Sequence, residues 1–114
     1  MTMNSNVMSA LAEPNRLQIV ELLRERPLTV GEIAERLQLR QPQASKHLRV
    51  LSEAGIVEAR VDANRRIYSL LPEPFQELEN WLRSYRHIWE ERFDRLDDYL
   101  QKVQGKQAVE EQQD

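Results

Sequence analysis

The sequence predicts a mainly α-helical fold with one small β-hairpin, and three observations carry that reading. Apolar residues recur at steps of three and four through most of the chain. Residues 56–70 break that rhythm and alternate apolar with polar instead. Proline, threonine and glycine stand where the helical rhythm starts and stops.

Taken in order, residues 5–12 read as a short helix. Pro14 then occupies a first helical position, where its fixed φ suits the helix. Leu17, Ile19, Val20, Leu22 and Leu23 cover most of the circumference of this second helix, which predicts that it lies at the buried centre; Pro27 stops it. Thr29 and Glu32 have capping-box spacing, and Leu28 with Ile33 makes a hydrophobic staple. Ile33, Ala34 and Leu37 form the inward stripe of the third helix. After the short turn 38–41, Pro42 opens a fourth helix that runs to Ala54, with Gly55 as its stop. Two helices joined by so short a turn form a helix-turn-helix pattern.

Val57, Ala59 and Val61 alternate with Glu58 and Arg60, Ala63-Asn64 forms a tip, and Arg65 to Leu70 returns. Pro72 and Pro74 break the chain, and a single long helix is expected from Phe75 to about Val103. Residues 104–114, rich in Lys, Gln and Glu, read as a disordered tail. The expected organisation is one domain, residues 1–103, that includes a long last helix over about 75–103.

Composition excludes several function classes. The chain has no cysteine, which removes disulfides, thiolate metal sites and thiol redox chemistry. No apolar run exceeds three residues, so no membrane helix is expected, and the first twenty residues lack a secretory pattern; the expected location is the cytoplasm. No nucleophile stands with a base, no pair of carboxylates marks a cleft, and three glycines supply no phosphate loop. The chain is therefore not expected to be an enzyme, and no cofactor is expected.

The net charge of −3 hides an uneven distribution. Residues 1–39 carry −1, residues 40–72 carry +3 and residues 73–114 carry −5. A basic middle segment inside an acidic chain is the footprint of a polyanion partner. On the fourth helix, a step of 100° per residue turns Ala44, Leu48 and Leu51 inward. Gln43, Ser45, Lys46 and Arg49 face outward, with His47 on the flank and Gln41 at the start, and no acid occurs from Arg40 to Ser52. Gln, Arg, Lys and Ser are the side chains that read base edges. Together with Arg65 and Arg66 behind the hairpin tip, these residues are the candidate contacts to double-stranded DNA. A helix-turn-helix used only for protein–protein contact is the competing reading, and the acid-free fourth helix weighs against it.

Residues 8–71 resemble the ArsR family of bacterial winged-helix regulators. The resemblance rests on Leu11-Ala12-Glu13-Pro14-Asn15-Arg16-Leu17, on Leu28 to Leu37, on Gln41-Pro42-Gln43-Ala44-Ser45-Lys46-His47-Leu48 and on Leu51-Ser52-Glu53-Ala54-Gly55-Ile56-Val57. It implies a winged helix-turn-helix fold and a dimeric repressor, with the fourth helix in the major groove and the hairpin as a wing. The family often has Ser where Arg40 stands, so the cap of the recognition helix is altered. The family's Cys-x-Cys metal-sensing pair is replaced here by Thr29-Val30-Gly31-Glu32.

Some family members bind zinc on the last helix. Here His87, Glu90, Glu91 and Asp94 share a face, but the matching Asp-x-His half-site is missing, and Gln76 stands near where its His would be. These residues are assigned to a solvated ion-pair face and no metal site is expected. Leu78, Leu82, Tyr85, Trp89, Phe93, Leu96, Leu100 and Val103 form an apolar stripe on about 43 Å of helix. That exceeds what one small domain covers, which predicts a homodimer interface through Leu82, Tyr85, Trp89, Phe93 and Leu96. Trp81, Tyr85, Trp89 and Phe93 also fit an aromatic ligand pocket, a use less common for such stripes. No inducer is legible.

Overall fold

The computed structural model describes residues 5–112, with side chains described for residues 6–105. Among the described residues six helices and three strands follow in the order α1 (Ser5–Leu11), α2 (Pro14–Leu23), β1 (Leu28–Thr29), α3 (Val30–Leu37), α4 (Gln41–Glu53), β2 (Val57–Asp62), β3 (Arg65–Leu70), α5 (Glu73–Ser84) and α6 (Arg86–Gln112). The chain divides into two compact units, Met1–Glu79 and Asn80–Asp114.

Local chemistry explains most boundaries of the first unit. Glu13 caps α2 by accepting the Arg16 backbone N–H at 2.9 Å. The Thr29–Glu32 capping box is complete: Glu32 N–H donates to Thr29 Oγ1 at 3.2 Å, and Thr29 N–H donates to Glu32 Oε1 at 3.0 Å. The Thr29 backbone N–H, then the Thr29 hydroxyl, hold the Glu32 carboxyl below the ordinary glutamate range, and Arg26 and Arg36 add to this. Gln38 takes the left-handed conformation, φ 56°, to end α3. Gly55, φ 76°, ends the segment after α4, with Gly55 N–H donating to Ser52 O and Ile56 N–H to Leu51 O.

The first unit's core contains Ile19, Leu28, Ile33, Leu48, Leu51, Ile56 and Val57, all essentially inaccessible. Full burial of such side chains is worth about 1.5–3 kcal/mol each. The second helix is less central than its sequence implies: Ile19, Val20 and Leu23 are buried, but Leu17 lies 47% exposed. It has more apolar residues than neighbours to cover them.

The sheet has one more strand than the hairpin supplies. Leu28–Thr29 pairs antiparallel with β3, as Leu28 opposite Tyr68 and Thr29 opposite Ile67, giving the order β1-β3-β2. The residue read as a staple is thus also a strand residue, and it ties the start of α3 to the hairpin. In the hairpin itself Val57 pairs with Leu70, Ala59 with Tyr68, Val61 with Arg66 and Asp62 with Arg65. Its alternation is real, but only the base is covered: Val57 is buried, while Val61 is 69% exposed.

Two expectations for the C-terminal region are corrected. The single helix from Phe75 is two helices, α5 and α6, meeting at Tyr85. There the Ser84 hydroxyl donates to the Trp81 carbonyl, and Tyr85 N–H and Ile88 N–H bond three residues back, to Leu82 O and Tyr85 O. A hydroxyl competing for a ladder carbonyl and a tightened turn interrupt a helix without proline or glycine. At the other end α6 continues through Gly105 to Gln112, where a disordered tail was expected. One glycine costs a helix only about 1 kcal/mol, and Lys, Gln, Ala and Glu around it are good helix formers.

Candidate nucleic-acid interface

The site is built where the start of α3, the outer face of α4 and the hairpin converge. Between them lies a groove of about 690 Å³, open to solvent. Thr29, Val30 and Gly31 form its floor; Gln41, Ser45, Arg49 and Ser52 form the α4 wall; Ala59, Asn64, Arg65, Arg66 and Tyr68 form the hairpin wall. None of these residues is acidic. Three guanidinium groups, four hydroxyls and two amides surround a concavity with no carboxylate to repel a phosphate.

The helix supplies its wall by simple periodicity. Gln41, Ser45, Arg49 and Ser52 follow one another at steps of four, four and three, so they form one stripe beside the buried Ala44–Leu48–Leu51 stripe. The starts of α3 and α4 lie side by side here: a Cβ at Gly31 would stand 3.3 Å from the Gln41 side-chain nitrogen. The strands supply theirs by alternation. Directly paired residues share a sheet face, so Val57, Ala59, Val61, Arg66, Tyr68 and Leu70 lie on one face and Arg60, Asp62, Arg65 and Ile67 on the other. Arg66 therefore continues the face that holds the core, whereas Arg65 reaches the groove from the tip.

The candidate DNA residues do not all gather here. Gln41, Ser45, Arg49, Arg65 and Arg66 line the groove. Lys46 and Gln43 are exposed on α4 outside it. Gln43 Oε1 accepts the Arg40 backbone N–H at 3.2 Å, so this side chain serves the start of α4. Arg40 has no acceptor with which to complete a reciprocal cap. His47, open to either a DNA-contacting or a packing role, is not among the groove-lining residues. Its side chain is only 19% exposed, and its Nδ1 is buried 3.7 Å from Glu13 Oε2 at the start of α2. It packs between helices rather than joining the groove-lining stripe.

Thr29, Gly31, Ser52, Asn64 and Tyr68 join the groove without having been singled out. Ser52 was discoverable at three residues beyond Arg49, and Tyr68 at two beyond Arg66. Thr29 and Gly31 were not, because only the packing of α3 against α4 brings them there.

In the second unit Leu82, Tyr85, Trp89, Phe93, Leu96 and Leu100 are exposed in the single chain. The Trp81 and Tyr85 rings meet edge to face at 5.3 Å. On the charged side Arg86 pairs with Glu90 at 2.8 Å and Arg95 with Glu91 at 2.7 Å, so two of the candidate metal-face carboxylates are engaged by arginine. Among the described residues no three His, Asp or Glu side chains converge on one point as metal ligands would. No helix among the described residues is long and apolar enough to cross a membrane.

Comparison with known proteins agrees with this geometry. Residues 13–59 match the family model described as bacterial regulatory protein, arsR family. The transcriptional repressor SdpR of Bacillus subtilis is 31% identical over 81 residues, which is 71% of this chain and 90% of SdpR. The structure of HlyU from Vibrio cholerae is 35% identical with a TM-score of 0.60, covering 71% of this chain and 89% of that one. The solution structure of Mb0332 from Mycobacterium bovis, described as a homodimeric winged helix-turn-helix DNA-binding domain, is 31% identical with a TM-score of 0.61, covering 73% and 77%. A helix-turn-helix at α3–α4, a three-stranded wing beside it and these matches together place the chain in the arsR family of bacterial regulatory proteins.

Proposed function

We propose that this chain is a homodimeric, sequence-specific DNA-binding repressor of the cytoplasm that reads an inverted repeat. The observation that carries the proposal is the acid-free groove between α4 and the hairpin. Its arginines, hydroxyls and amides suit one sugar-phosphate strand. With that strand in the groove, α4 lies in the major groove and the hairpin reaches over the backbone toward the minor groove. Arg49 and Lys46 then face base edges or flanking phosphates, and Arg66 and Arg65 hold the strand from the other side.

A single recognition helix offers few base contacts. Two of them, related by a twofold axis, meet successive major grooves about 34–36 Å apart. The exposed stripe of Leu82, Tyr85, Trp89, Phe93 and Leu96 supplies the apolar surface for that axis. The homodimeric description of Mb0332 supports the assembly, and the repressor SdpR supports the direction of regulation.

Selection of bound fragments from a random duplex pool, followed by titration of the winner at several salt concentrations, tests the reading. The expected result is an inverted repeat bound with a steep fall of log K against log salt. A pool that yields no enriched sequence, or binding indifferent to salt, overturns it.

A further inference from the structure

His47 sits on the helix that faces DNA, yet its geometry assigns it a different task. Its Nδ1 is buried and has no hydrogen-bond partner among the described residues. An unpaired buried nitrogen is costly, and its burial keeps water from supplying the missing bond. The group beside it is the Glu13 carboxylate, 3.7 Å away. An imidazole with its proton on Nε2 would aim a lone pair at that anion. With the proton on Nδ1, the same ring aims a donor at it, and a shift of a few tenths of an ångström completes a hydrogen bond.

Glu13 is itself fixed from two directions. Its Oε2 accepts the Arg16 backbone N–H at 2.9 Å as the cap of α2. Arg16 in turn donates its Nε–H to Ala10 O at 2.7 Å, at the end of α1. A donor on His47 would therefore join α4 to the junction of α1 and α2 through one carboxylate.

We infer that His47 is a positioning residue for DNA recognition, held as its Nδ1–H tautomer by Glu13, and that it sets the pose of α4 rather than reading a base. The inference rests on the DNA-binding reading of α4. It adds a link between the start of α2 and the recognition helix.

The side-chain geometry supplies a discriminating test. The amide nitrogen of asparagine stands where histidine carries Nδ1, and that of glutamine where histidine carries Nε2. His47→Asn is expected to keep affinity for the selected duplex within about threefold, and His47→Gln to lose on the order of tenfold, the scale of one lost hydrogen bond to a carboxylate. The reverse order, or equal effects of the two variants, overturns the inference; the reverse order marks a contact from Nε2 to DNA. Long-range ¹H–¹⁵N correlation on the wild-type protein reads the tautomer without any DNA. A proton on Nδ1 supports the proposal, and a proton on Nε2 with bare Nδ1 overturns it. That spectrum decides the matter if the glutamine variant fails to fold. A wild-type chain that selects no duplex defeats the DNA-binding reading and leaves the tautomer result standing on its own.

Discussion

Asp62 and Arg65 are register partners at the last pair of the hairpin, whereas Arg66 stands opposite Val61. One wing arginine thus faces an acid across the ladder and the other an exposed apolar side chain. Sequence alone presents the two arginines as an equivalent pair; the register makes them unequal. Arg66→Ala is expected to weaken duplex binding more than Arg65→Ala, and to reduce the salt slope by about one if its contact is to phosphate. Fluorescence anisotropy at four salt concentrations measures both quantities. Equal losses would mean that the tip, not the groove face, meets the backbone.

The two cations of α4 also separate. Arg49 lines the groove and Lys46 lies outside it. If Lys46 meets bases, Lys46→Ala is expected to cost about 1–3 kcal/mol at the selected site and to relax its sequence. Arg49→Ala, by removing a groove guanidinium, is expected to lower affinity evenly across sequences. Neither change touches the buried stripe of Ala44, Leu48 and Leu51, so unfolding midpoints should stay within a degree or two of wild type. Titration against the selected site and a scrambled duplex separates the two behaviours.

Assembly has its own test. Trp89 and Phe93 are 37% and 63% exposed in the single chain, in the middle of the apolar stripe of α6. Trp89→Glu or Phe93→Glu would bring an unpaired charge into an apolar contact, which is costly. Either variant is expected to sediment as a monomer at micromolar concentration and to lose specific DNA binding. A wild-type chain that is already monomeric there, or a charged variant that stays dimeric, would sink the dimer proposal.

The capping box predicts a response to acid. Glu32 is held below the ordinary glutamate range in the folded state, first by the Thr29 backbone N–H. A carboxyl lowered on folding stabilises the fold above its unfolded pKa, and the benefit is lost as pH falls through the folded value. Glu32→Gln keeps an acceptor for the Thr29 N–H but has no charge to lose. Urea unfolding from neutral pH down to about pH 3 should show wild type ahead of the variant at neutral pH and the gap closing in acid. A gap that stays constant would mean the carboxylate contributes no charge-dependent stability.

What was legible in the sequence was local. Thr29 with Glu32, Gly55 after α4 and the Ala63-Asn64 tip each declare a boundary through chemistry confined to a few residues. What was not legible depends on distant partners or on continuity. A two-residue strand has no periodicity to detect, so β1 is visible only through its pairing with Ile67 and Tyr68. The apolar stripe runs unbroken across Tyr85, so nothing in its period announces the joint between α5 and α6. Among the site residues, the outward set of α4 followed from helical angles. The withdrawal of His47 toward Glu13 did not, because a flank position is settled only by what packs beside it.

The hairpin keeps its core contribution at one end and its candidate contacts at the other. Val57 is buried at the base, while Val61, Ala63, Asn64, Arg65 and Arg66 all lie in the exposed outer part. Substitutions there cost the fold little, since surface changes away from caps and cores usually stay within about 0.5 kcal/mol. If the hairpin meets DNA as proposed, a lineage carrying this scaffold is free to alter those contacts without first acquiring a more robust core.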